Sequence, residues 1–314
     1  MLIATKQQIL NVLPHLDLIP TIATAFVRYS AGDAVVPPVG ELLLPGGDVH
    51  IKYGYVRDDP YYVVKIASGF YDNPERGLPS SNGLMLLFRQ ETGEPVAVLL
   101  DEGHLTDVRT AVAGAVAATH LAPPEVRRIG IVGTGIQARL QLQCLRDVTP
   151  CRDVLVWGRG VAQVGMYHDD PALHEFSIET TLDARDILRT CNLIVTTTPA
   201  TAPLLSAPDL RRGTHITAVG SDTAEKQELD VAMLAQAHVV VADSLDQCRL
   251  RGEIHHALAA GAVTEDRIVE LGDVIAGRAP GRTGSDQITV ADLTGVAVQD
   301  IAIASLVYEA LGGG

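Results

Sequence analysis

The sequence predicts an α/β protein in which a doubly wound parallel sheet is joined to a separate α+β domain. From Arg127 onward, short continuous apolar runs alternate with helical patterns, which is typical of parallel strands covered by helices. Before Arg127, strand-like segments follow one another with turn signals between them, which indicates a mostly antiparallel sheet. The length of 314 residues also corresponds to about two domains.

Composition and charge exclude several classes of protein. Apolar residues make up 47% and charged residues 20% of the chain, which is the balance of a globular protein rather than of a disordered one. The formal net charge of −14 disfavours nucleic-acid binding, because contacts to phosphate need a basic patch; we interpret the charge as a contribution to solubility. No apolar run approaches the roughly 18 residues of a membrane span, and residues 1–8 lack a signal pattern.

The cysteines indicate a reduced, cytoplasmic protein. Their spacing is not that of metal ligands, and free thiols are the default inside the cell. We therefore expect no metal site, no membrane or nucleic-acid partner, and a small molecule as the ligand. The four cysteines are Cys144, Cys151, Cys191 and Cys248.

The first part of the chain contains the pattern of an α+β module. A helix is predicted over residues 17–31, and a second helix of small residues over 110–121 ends at a proline pair. Within the first predicted strand, Tyr53 falls on one face and Lys52 on the other. The strands are predicted over residues 49–56, 61–68, 83–88 and 96–100.

The second part of the chain alternates buried strands with helices. The first strand, 128–132, is followed by a helix over 136–145, and the chain ends with a helix over 296–311. Because these strands are apolar throughout rather than alternating, we expect a parallel sheet that is covered on both faces. The other strands are predicted over residues 153–157, 192–198, 215–220, 238–243 and 288–290.

A glycine-rich loop between the first strand and helix of this sheet predicts a dinucleotide site of the Rossmann type. Gly133 permits a tight turn, Gly135 lets the backbone approach a pyrophosphate, and Ala138 allows close packing of helix on strand. The helix N-terminus then faces the negative charge. Thr134, Ile136 and Gln137 complete the loop and are further candidates for cofactor contact.

The end of the next strand bears on the choice of cofactor. An NAD-specific site usually has an acidic residue there to hold the ribose hydroxyls, whereas this chain has Gly158 and Arg159. Arg159 favours NADP(H), because a guanidinium can bind the 2′-phosphate. NAD(H) stays the alternative, in which Arg159 stacks on the adenine or faces water.

Three charged residues around the loop are candidates for substrate chemistry. Lys65 lies in an apolar strand pattern and Arg109 at the start of a helix, and together they can hold a carboxylate. Asp222 follows a strand end, where parallel sheets bind ligands, and can move a proton. Taken singly, each also has a structural interpretation: a surface lysine, a first-turn arginine and a helix-capping aspartate.

Motifs along nearly the whole chain resemble those of the ornithine cyclodeaminase/mu-crystallin family. The cofactor loop, with Gly133 to Ala138 reading GTGIQA, is one of them. The others are Val64-Lys65-Ile66 with Asn73, Thr92-Gly93-Glu94-Pro95, Leu105 to Ala111 reading LTDVRTA, Gly220-Ser221-Asp222, and Asp292 to Asp300 reading DLTGVAVQD.

The resemblance implies a fold and several residue roles. Family members are dimers with a split first domain, completed by the C-terminal helix, so we expect a substrate-binding and dimerisation domain over 1–121 with 290–314 and a dinucleotide-binding domain over 122–289. Lys65 and Arg109 match the carboxylate-binding pair, and Asp222 matches the acid/base residue, with Lys65 as the alternative proton donor. Further cofactor contacts are expected from Thr110, Thr197 and Val296, with residues 294–296 near the nicotinamide.

Departures from the family pattern bear on the substrate. Residues 223–226 replace a Pro-Gly-Lys stretch that cyclodeaminases tend to carry, and Glu41 lies where many members have a carboxylate-binding arginine. Residues 49–52 and 77–84 are similar to the branch linked to ectoine use and iminosuccinate reduction, in which Lys52 is an extra substrate cation. Glu41 in the pocket favours a substrate with a cationic end, whereas Lys52 beside Lys65 and Arg109 favours a dicarboxylate.

The leading hypothesis is an NAD(P)-dependent oxidoreductase that interconverts an α-imino acid and an amino acid by hydride transfer. One alternative is a cyclodeaminase that retains its cofactor and releases ammonia, for which turnover leaves the nicotinamide absorbance unchanged. Another is a crystallin-like ligand carrier, which binds NADPH but turns over no imine. Retention of Lys65, Arg109 and Asp222 argues against the carrier.

Overall fold

The computed structural model describes residues 1–70 and 72–313, and the chain separates into two units. The first unit is Met1–Arg109 with Val296–Gly314, and the second is Thr110–Gly295. These limits differ from the expected 121/122 and 289/290. Residues 289–292 form a strand inside the sheet of the second unit, so the chain leaves that unit only after Gly295.

Strands and helices alternate along the described residues. The strands are β1 (Leu2–Thr5), β2 (Ala34–Val35), β3 (Gly40–Leu44), β4 (Gly47–Val56), β5 (Tyr61–Gly69), β6 (Ser81–Arg89), β7 (Pro95–Leu100), β8 (Ile129–Val132), β9 (Asp153–Trp157), β10 (Ser177–Thr181), β11 (Leu193–Thr196), β12 (Thr201–Leu205), β13 (His215–Ala218), β14 (Gln227–Leu229), β15 (Val239–Ala242), β16 (Ile268–Glu270) and β17 (Thr289–Asp292). The α-helices are α1 (Lys6–Val12), α2 (Leu18–Ser30), α3 (His104–Leu121), α4 (Ile136–Leu145), α5 (Val161–His168), α6 (Ala184–Thr190), α7 (Val231–Gln236), α8 (Leu245–Cys248), α9 (Gly252–Ala259), α10 (Leu271–Ile275) and α11 (Ala297–Ala310).

The first unit is a mostly antiparallel sheet packed against helices. Its strand order is β1-β7-β6-β5-β4-β2, with β3 paired to β4, and only the β1–β7 pair is parallel. The last helix, α11, packs on β4, β5 and β6 and against α2. In α2, the spacing of Ile22, Ala25 and Phe26 places one apolar face inward, as the sequence predicts.

Helix α3 begins earlier than expected. The sequence places Arg109 and Thr110 at the helix start, but α3 starts at His104. The cause is Asp101, whose Oδ2 accepts a hydrogen bond from the Leu105 N–H at 2.8 Å and so satisfies a donor of the first turn. Arg109 therefore lies one turn inside the helix, in a fixed position.

The second unit confirms the predicted doubly wound parallel sheet. Its strand order is β10-β9-β8-β11-β13-β17-β15-β16, and every pair is parallel. From β8 the chain moves outward through β9 and β10, then returns to the other side of β8 with β11. This reversal between β8 and β11 is where such sheets bind ligands, at the carboxyl ends of the strands.

No single helix among the described residues has the length and apolar composition of a membrane span. One bent pair, Lys6–His15 with Leu18–Ser30, meets that test on length and composition alone.

Candidate functional site

Three cations and one carboxylate are buried together in the first unit. Lys52 on β4 and Lys65 on β5 are 7% and 2% exposed and are directly opposite in the strand register. Arg109 on α3 and Asp300 in the first turn of α11 are 4% and 1% exposed. Lys65 is therefore not a surface lysine, and the structural interpretation of that residue is wrong.

Asp300 binds two of the three cations. The Lys65 Nζ lies 3.1 Å from Asp300 Oδ2, and the Arg109 Nε lies 2.9 Å from Asp300 Oδ1. Burial opposes ionisation of Asp300, but Arg109, Lys65 and Lys52 together hold its pKa below the ordinary value. Asp300 is thus the counter-charge that makes this buried cluster possible.

The cluster carries more positive than negative charge. Like charges directly opposite on a sheet destabilise the pair, and among these four groups Asp300 is one carboxylate beside three cations. Burial and the neighbouring Arg109 lower the pKa of Lys65 to about 7, against the opposing effect of Asp300. An excess of buried positive charge is a fitting environment for an anionic ligand such as a carboxylate.

Gln299 adds a hydrogen-bond donor to this cluster. Its Oε1 accepts from the Arg109 Nη1 at 3.0 Å, so its Nε2 is left as a donor. Within residues 1–70 and 72–313 this buried Nε2 has no hydrogen-bond partner. Sequence reasoning assigned no role to Gln299 or Asp300, although the DLTGVAVQD motif ends in these two residues.

Glu41 lies on β3, beside the strand that carries Lys52. Its Oε1 lies 2.8 Å from the Nε2 of His50, its register partner on β4, and its side chain is 35% exposed. The geometry therefore gives Glu41 a partner on the neighbouring strand, and the suggestion that it selects a cationic substrate stays a prediction.

The second unit has a cleft at the carboxyl ends of β8, β9 and β11. It measures about 340 Å³ and is lined by residues 133–135, 157–159 and 197–200 together with Leu204. A larger groove of about 400 Å³ lies in the first unit between α2 and α11, and it contains none of the predicted site residues. The cleft, unlike the groove, lies at the switch point of the sheet, where doubly wound sheets bind ligands.

The geometry at the glycines of the loop is compatible with the roles that the sequence predicts for them. Gly133 has φ +120°, and a Cβ there would lie 2.6 Å from the Thr197 Oγ1. A Cβ at Gly135 would meet nothing within 4 Å, so this backbone borders open space in which a ligand can approach. Gly135 also begins α4 without a side-chain cap, which leaves the helix N-terminus to an anion.

Arg139 fixes the shape of this loop. It donates to the carbonyl oxygens of Thr134 and Gly135, the latter at 3.1 Å, while its Nε lies 2.6 Å from the Asp170 Oδ2. The loop is thereby held before a ligand arrives, which lowers the entropic cost of binding.

Other predicted cofactor residues lie outside this cleft. Ile136 and Gln137 open α4, with the Ile136 side chain 51% exposed. The carbonyl of Thr110 accepts from the Gln141 Nε2 at 3.1 Å and so supports α4. Val296 is the buried N-cap residue of α11. Their roles in cofactor binding stay predictions.

Asp222 lies beyond β13 in an irregular segment. Its Oδ1 accepts from the Lys226 Nζ at 2.6 Å, and its side chain is 39% exposed. No helix follows it, so the interpretation of Asp222 as a helix cap is wrong. A carboxylate at this edge of the sheet, with a lysine beside it, can exchange a proton with a bound ligand.

Asp243, at the end of β15, follows another strand of this sheet but does not cap the helix that comes after it. Ser244 is the N-cap residue of α8, while the buried Asp243 accepts from the Thr294 Oγ1 at 3.0 Å and the Gly295 N–H at 2.6 Å. It therefore fixes the segment that follows β17.

Comparisons with known proteins agree with this architecture. An uncharacterised cyclodeaminase of Sinorhizobium fredii is 44% identical over 98% of this chain and 95% of its own length. An archaeal alanine dehydrogenase, a dimer solved with bound NAD, is 33% identical with a TM-score of 0.90, over 99% of this chain and 95% of its own. The iminosuccinate reductase of Paracoccus denitrificans, solved with NAD⁺, is 29% identical with a TM-score of 0.87, over 99% and 96%.

A family profile covers the whole chain. The Ornithine cyclodeaminase/mu-crystallin family matches residues 1–314. The chain belongs to the ornithine cyclodeaminase/mu-crystallin family.

Proposed function

We propose that this protein is an NAD(P)-dependent oxidoreductase that interconverts an α-imino acid and an amino acid. The observation that carries the proposal is the buried cluster of Lys52, Lys65 and Arg109 around Asp300, in a chain whose second unit has a dinucleotide cleft. The excess positive charge fits the carboxylate that imino acids and amino acids share. The alanine dehydrogenase and iminosuccinate reductase among its relatives carry out chemistry of this class.

Each charged residue has a task in this reaction. Arg109 and Lys65 hold the substrate carboxylate, while Asp300 keeps both side chains in place. Asp222 moves the proton that joins or leaves the substrate nitrogen, and Lys65, with a pKa of about 7, is the alternative donor near neutral pH. When bound, the nicotinamide supplies the hydride.

The preferred cofactor in this proposal is NADP(H). Arg159 lines the cleft at the end of β9, is exposed, and has no ion-pair partner in the described part of the chain. No acidic residue occupies the end of β9 to hold the ribose hydroxyls. Arg159 is therefore placed to bind a 2′-phosphate.

A dicarboxylic imino acid is the substrate class that the charge of the cluster favours. The three cations Lys52, Lys65 and Arg109 are enough to bind two substrate carboxylates. Lys52 is as deeply placed as Arg109 and lies opposite Lys65. We assign the second carboxylate to Lys52, as in iminosuccinate.

A cyclodeaminase is the second candidate function. The relative from Sinorhizobium fredii favours it, whereas the Thr223-Ala224-Glu225-Lys226 segment departs from the pattern of that activity. The two candidates differ in one observable: a cyclodeaminase restores its cofactor in each turnover, so that ammonia is released without a net change in nicotinamide absorbance.

We also propose that the protein is a homodimer. The outer face of β4 exposes Tyr53 and Tyr55 at 39% and 37%, and on the same face the neighbouring β3 exposes Leu42 and Leu44 at 54% and 45%. Such an apolar face is typical of a protein interface, and the related archaeal alanine dehydrogenase is a dimer. Sedimentation should give about twice the mass of one chain, and a monomer at micromolar concentration would contradict the proposal.

A substrate panel followed at the NAD(P)H absorbance tests the reaction. We expect oxidation of NADPH with oxaloacetate plus ammonia, and slower oxidation with pyrroline and piperideine carboxylates. Preference for the cyclic imines would exclude the dicarboxylate, and ammonia release without an absorbance change would favour the cyclodeaminase. Binding of NADPH without turnover of any imine would favour the alternative of a crystallin-like ligand carrier.

Asp222→Asn tests the proton transfer. Because a positioned general acid contributes about 10²–10⁴-fold in rate, we expect kcat to fall by that range while the NADPH dissociation constant stays within a few-fold. Asp209→Asn, a surface carboxylate paired with Arg189 in the same unit, is the matched control. Near-normal turnover by folded Asp222→Asn would remove Asp222 from the mechanism.

A further inference from the structure

A fully buried glutamate joins two strand ends at the ligand-binding edge of the second unit. Glu228, on β14, has no exposed surface. Its Oε1 accepts from the N–H and the hydroxyl of Thr198, at 2.6 and 2.7 Å. Its Oε2 accepts from the Thr196 hydroxyl at 2.7 Å and the Gly220 N–H at 2.9 Å. One carboxylate is thereby bonded to the ends of both β11 and β13.

Each of these strand ends leads into a proposed functional segment. Thr198 belongs to the segment 197–200 that lines the dinucleotide cleft. Gly220 lies two residues before Asp222. A Cβ at Gly220 would lie 2.5 Å from the Glu228 Oε2 and closer still to the Thr198 carbonyl oxygen, so only glycine allows this approach.

The attachment of Glu228 is itself rigid. The Glu228 and Leu229 N–H groups donate to the Glu253 Oε1 and Oε2 at 2.7 and 3.1 Å, and Glu253 is 1% exposed on α9. The backbone that carries Glu228 is therefore held from behind. A residue that only filled space in the core would not need four donors at once.

We propose that Glu228 is a positioning residue that fixes the distance between the cofactor-lining segment 197–200 and Asp222. The proposal rests on the proposed function for the role of Asp222, but the tie between the two segments is independent of the substrate. Glu228 itself touches neither ligand. Its effect reaches them through the backbone of Thr198 and Gly220.

Glu228→Gln is the sharpest test, because the amide keeps the shape but has only one accepting oxygen. Its NH₂ group must then face the N–H of either Thr198 or Gly220, which breaks one of the two ties. We expect the dissociation constant of NADPH to rise at least about tenfold, equivalent to about 1.4 kcal/mol. We also expect kcat to fall at least about tenfold, while the KM for a substrate held by Lys65 and Arg109 stays within about threefold.

Asp292→Asn is the matched control. Asp292 is another buried carboxyl at this edge of the sheet, on β17, and its side chain accepts from the Ile254 N–H at 2.8 Å. Its backbone, but not its carboxyl, pairs with Ala218 at the end of β13. Loss of folded protein alone would lower the apparent kcat of both variants without changing the NADPH dissociation constant. A rise in that constant in Glu228→Gln alone supports the proposal.

Gly220→Ala gives an independent test, since it leaves the carboxylate in place and forces the two strand ends apart. It should reproduce the weaker NADPH binding. Folded Glu228→Gln that binds NADPH and turns over as the parent does would overturn the proposal. If no imine is reduced by the parent protein but Glu228→Gln still weakens NADPH binding, the tie stands and the proposed function fails.

Discussion

Lys65 lies opposite Lys52, is almost fully buried, and has a pKa lowered to about 7 by burial and by Arg109. A cation with this pKa is fully charged below neutral pH and loses its proton as the pH rises through about 7. Since the neutral amine no longer attracts an anion, the affinity of the first unit for a carboxylate should depend on pH. A bound carboxylate favours the charged form, so the loss of affinity is expected at and above that pH.

We therefore predict that Lys65→Arg removes this pH dependence, because a guanidinium stays charged at every pH of interest. The dissociation constant of an unreactive 2-hydroxy dicarboxylate, measured by calorimetry from pH 6 to 9, should rise by up to about tenfold per pH unit in the parent protein. In Lys65→Arg it should stay nearly flat. Lys6→Arg, at a surface ion pair, is the control. Equal slopes in parent and variant would assign the titration to another group.

The sequence predicts Lys65 and Arg109 as candidates for binding a carboxylate. It does not show whether their side chains are buried in a site or exposed at the surface. Alternation along β4 places Lys52 and Tyr53 on opposite faces without indicating which face is covered. In the structure the face with Lys52, Gly54 and Val56 is buried and the tyrosine face is exposed. Hydrophobicity alone favours burial of the tyrosine face. The pattern of β4 does not reveal the Asp300 carboxylate, which lies on α11, 235 residues after its partner Lys65.

In the connection from β9 to α5, one residue is required by packing and the next is the candidate for cofactor selection. A Cβ at Gly158 would lie 2.8 Å from both Thr134 Cγ2 and Val164 Cγ1, so packing requires glycine at this position. The next residue, Arg159, is exposed and lines the cleft. An acidic side chain at position 158, as in NAD-specific sites, would therefore need a shift of the cofactor loop.

For this connection we predict that Arg159→Ala weakens NADPH binding and leaves NADH binding within about twofold. Charge-assisted contacts contribute roughly 1.5–3 kcal/mol, which corresponds to roughly 10- to 150-fold in the NADPH dissociation constant. Fluorescence titration with both cofactors measures the change. Arg185→Ala, an exposed arginine paired with Asp183 in the same unit, serves as the control. Tighter binding of NADH than NADPH by the parent protein, unchanged in the variant, would contradict the assignment.

The strands and helices of the second unit agree more closely with the sequence predictions than the start of α3 does. Helix α4 has the predicted bounds, and the strands predicted for the parallel sheet are present, because each is a continuous apolar run between clear turn signals. The start of α3 was missed by six residues, since its cap, Asp101, precedes Glu102 and Gly103, a pair that reads as a loop. The local sequence pattern does not predict this hydrogen bond from the Leu105 N–H to Asp101, because it depends on how the chain folds between the two residues.

At the scale of the whole molecule, the first unit is built from both ends of the chain. Its sheet comes from residues 1–100, while α11 supplies Asp300 and packs on β4, β5 and β6. The second unit contains all strands of its own sheet, including β17. The second limit of this division depends on tertiary pairing of β17, which explains why the expected boundary at 289/290 lies six residues before the observed one.

We predict that a chain ending at Gly295 keeps the second unit and loses the first. Without α11, Lys65 and Arg109 lose the carboxylate of Asp300. Breaking a buried ion pair costs about 3–5 kcal/mol, in addition to the lost apolar packing. Hydrogen exchange should show protection in β8, β11 and β13 but not in β4, β5 and β6, with dinucleotide binding retained. A chain ending at Leu311, which keeps α11, is the control. Protected β4–β6 amides in the shorter chain would contradict this prediction.

This arrangement also sets an order of events during synthesis. Helix α11 leaves the ribosome about 190 residues after Arg109, which is roughly 10–40 s at ordinary rates of translation. Throughout that interval the nascent sheet of the first unit lacks its covering helix, whereas the second unit can complete itself up to its last strand. The nascent protein therefore forms the cleft proposed for the dinucleotide before the cluster proposed for the carboxylate, and its early strands stay without their covering helix until α11 has been synthesised.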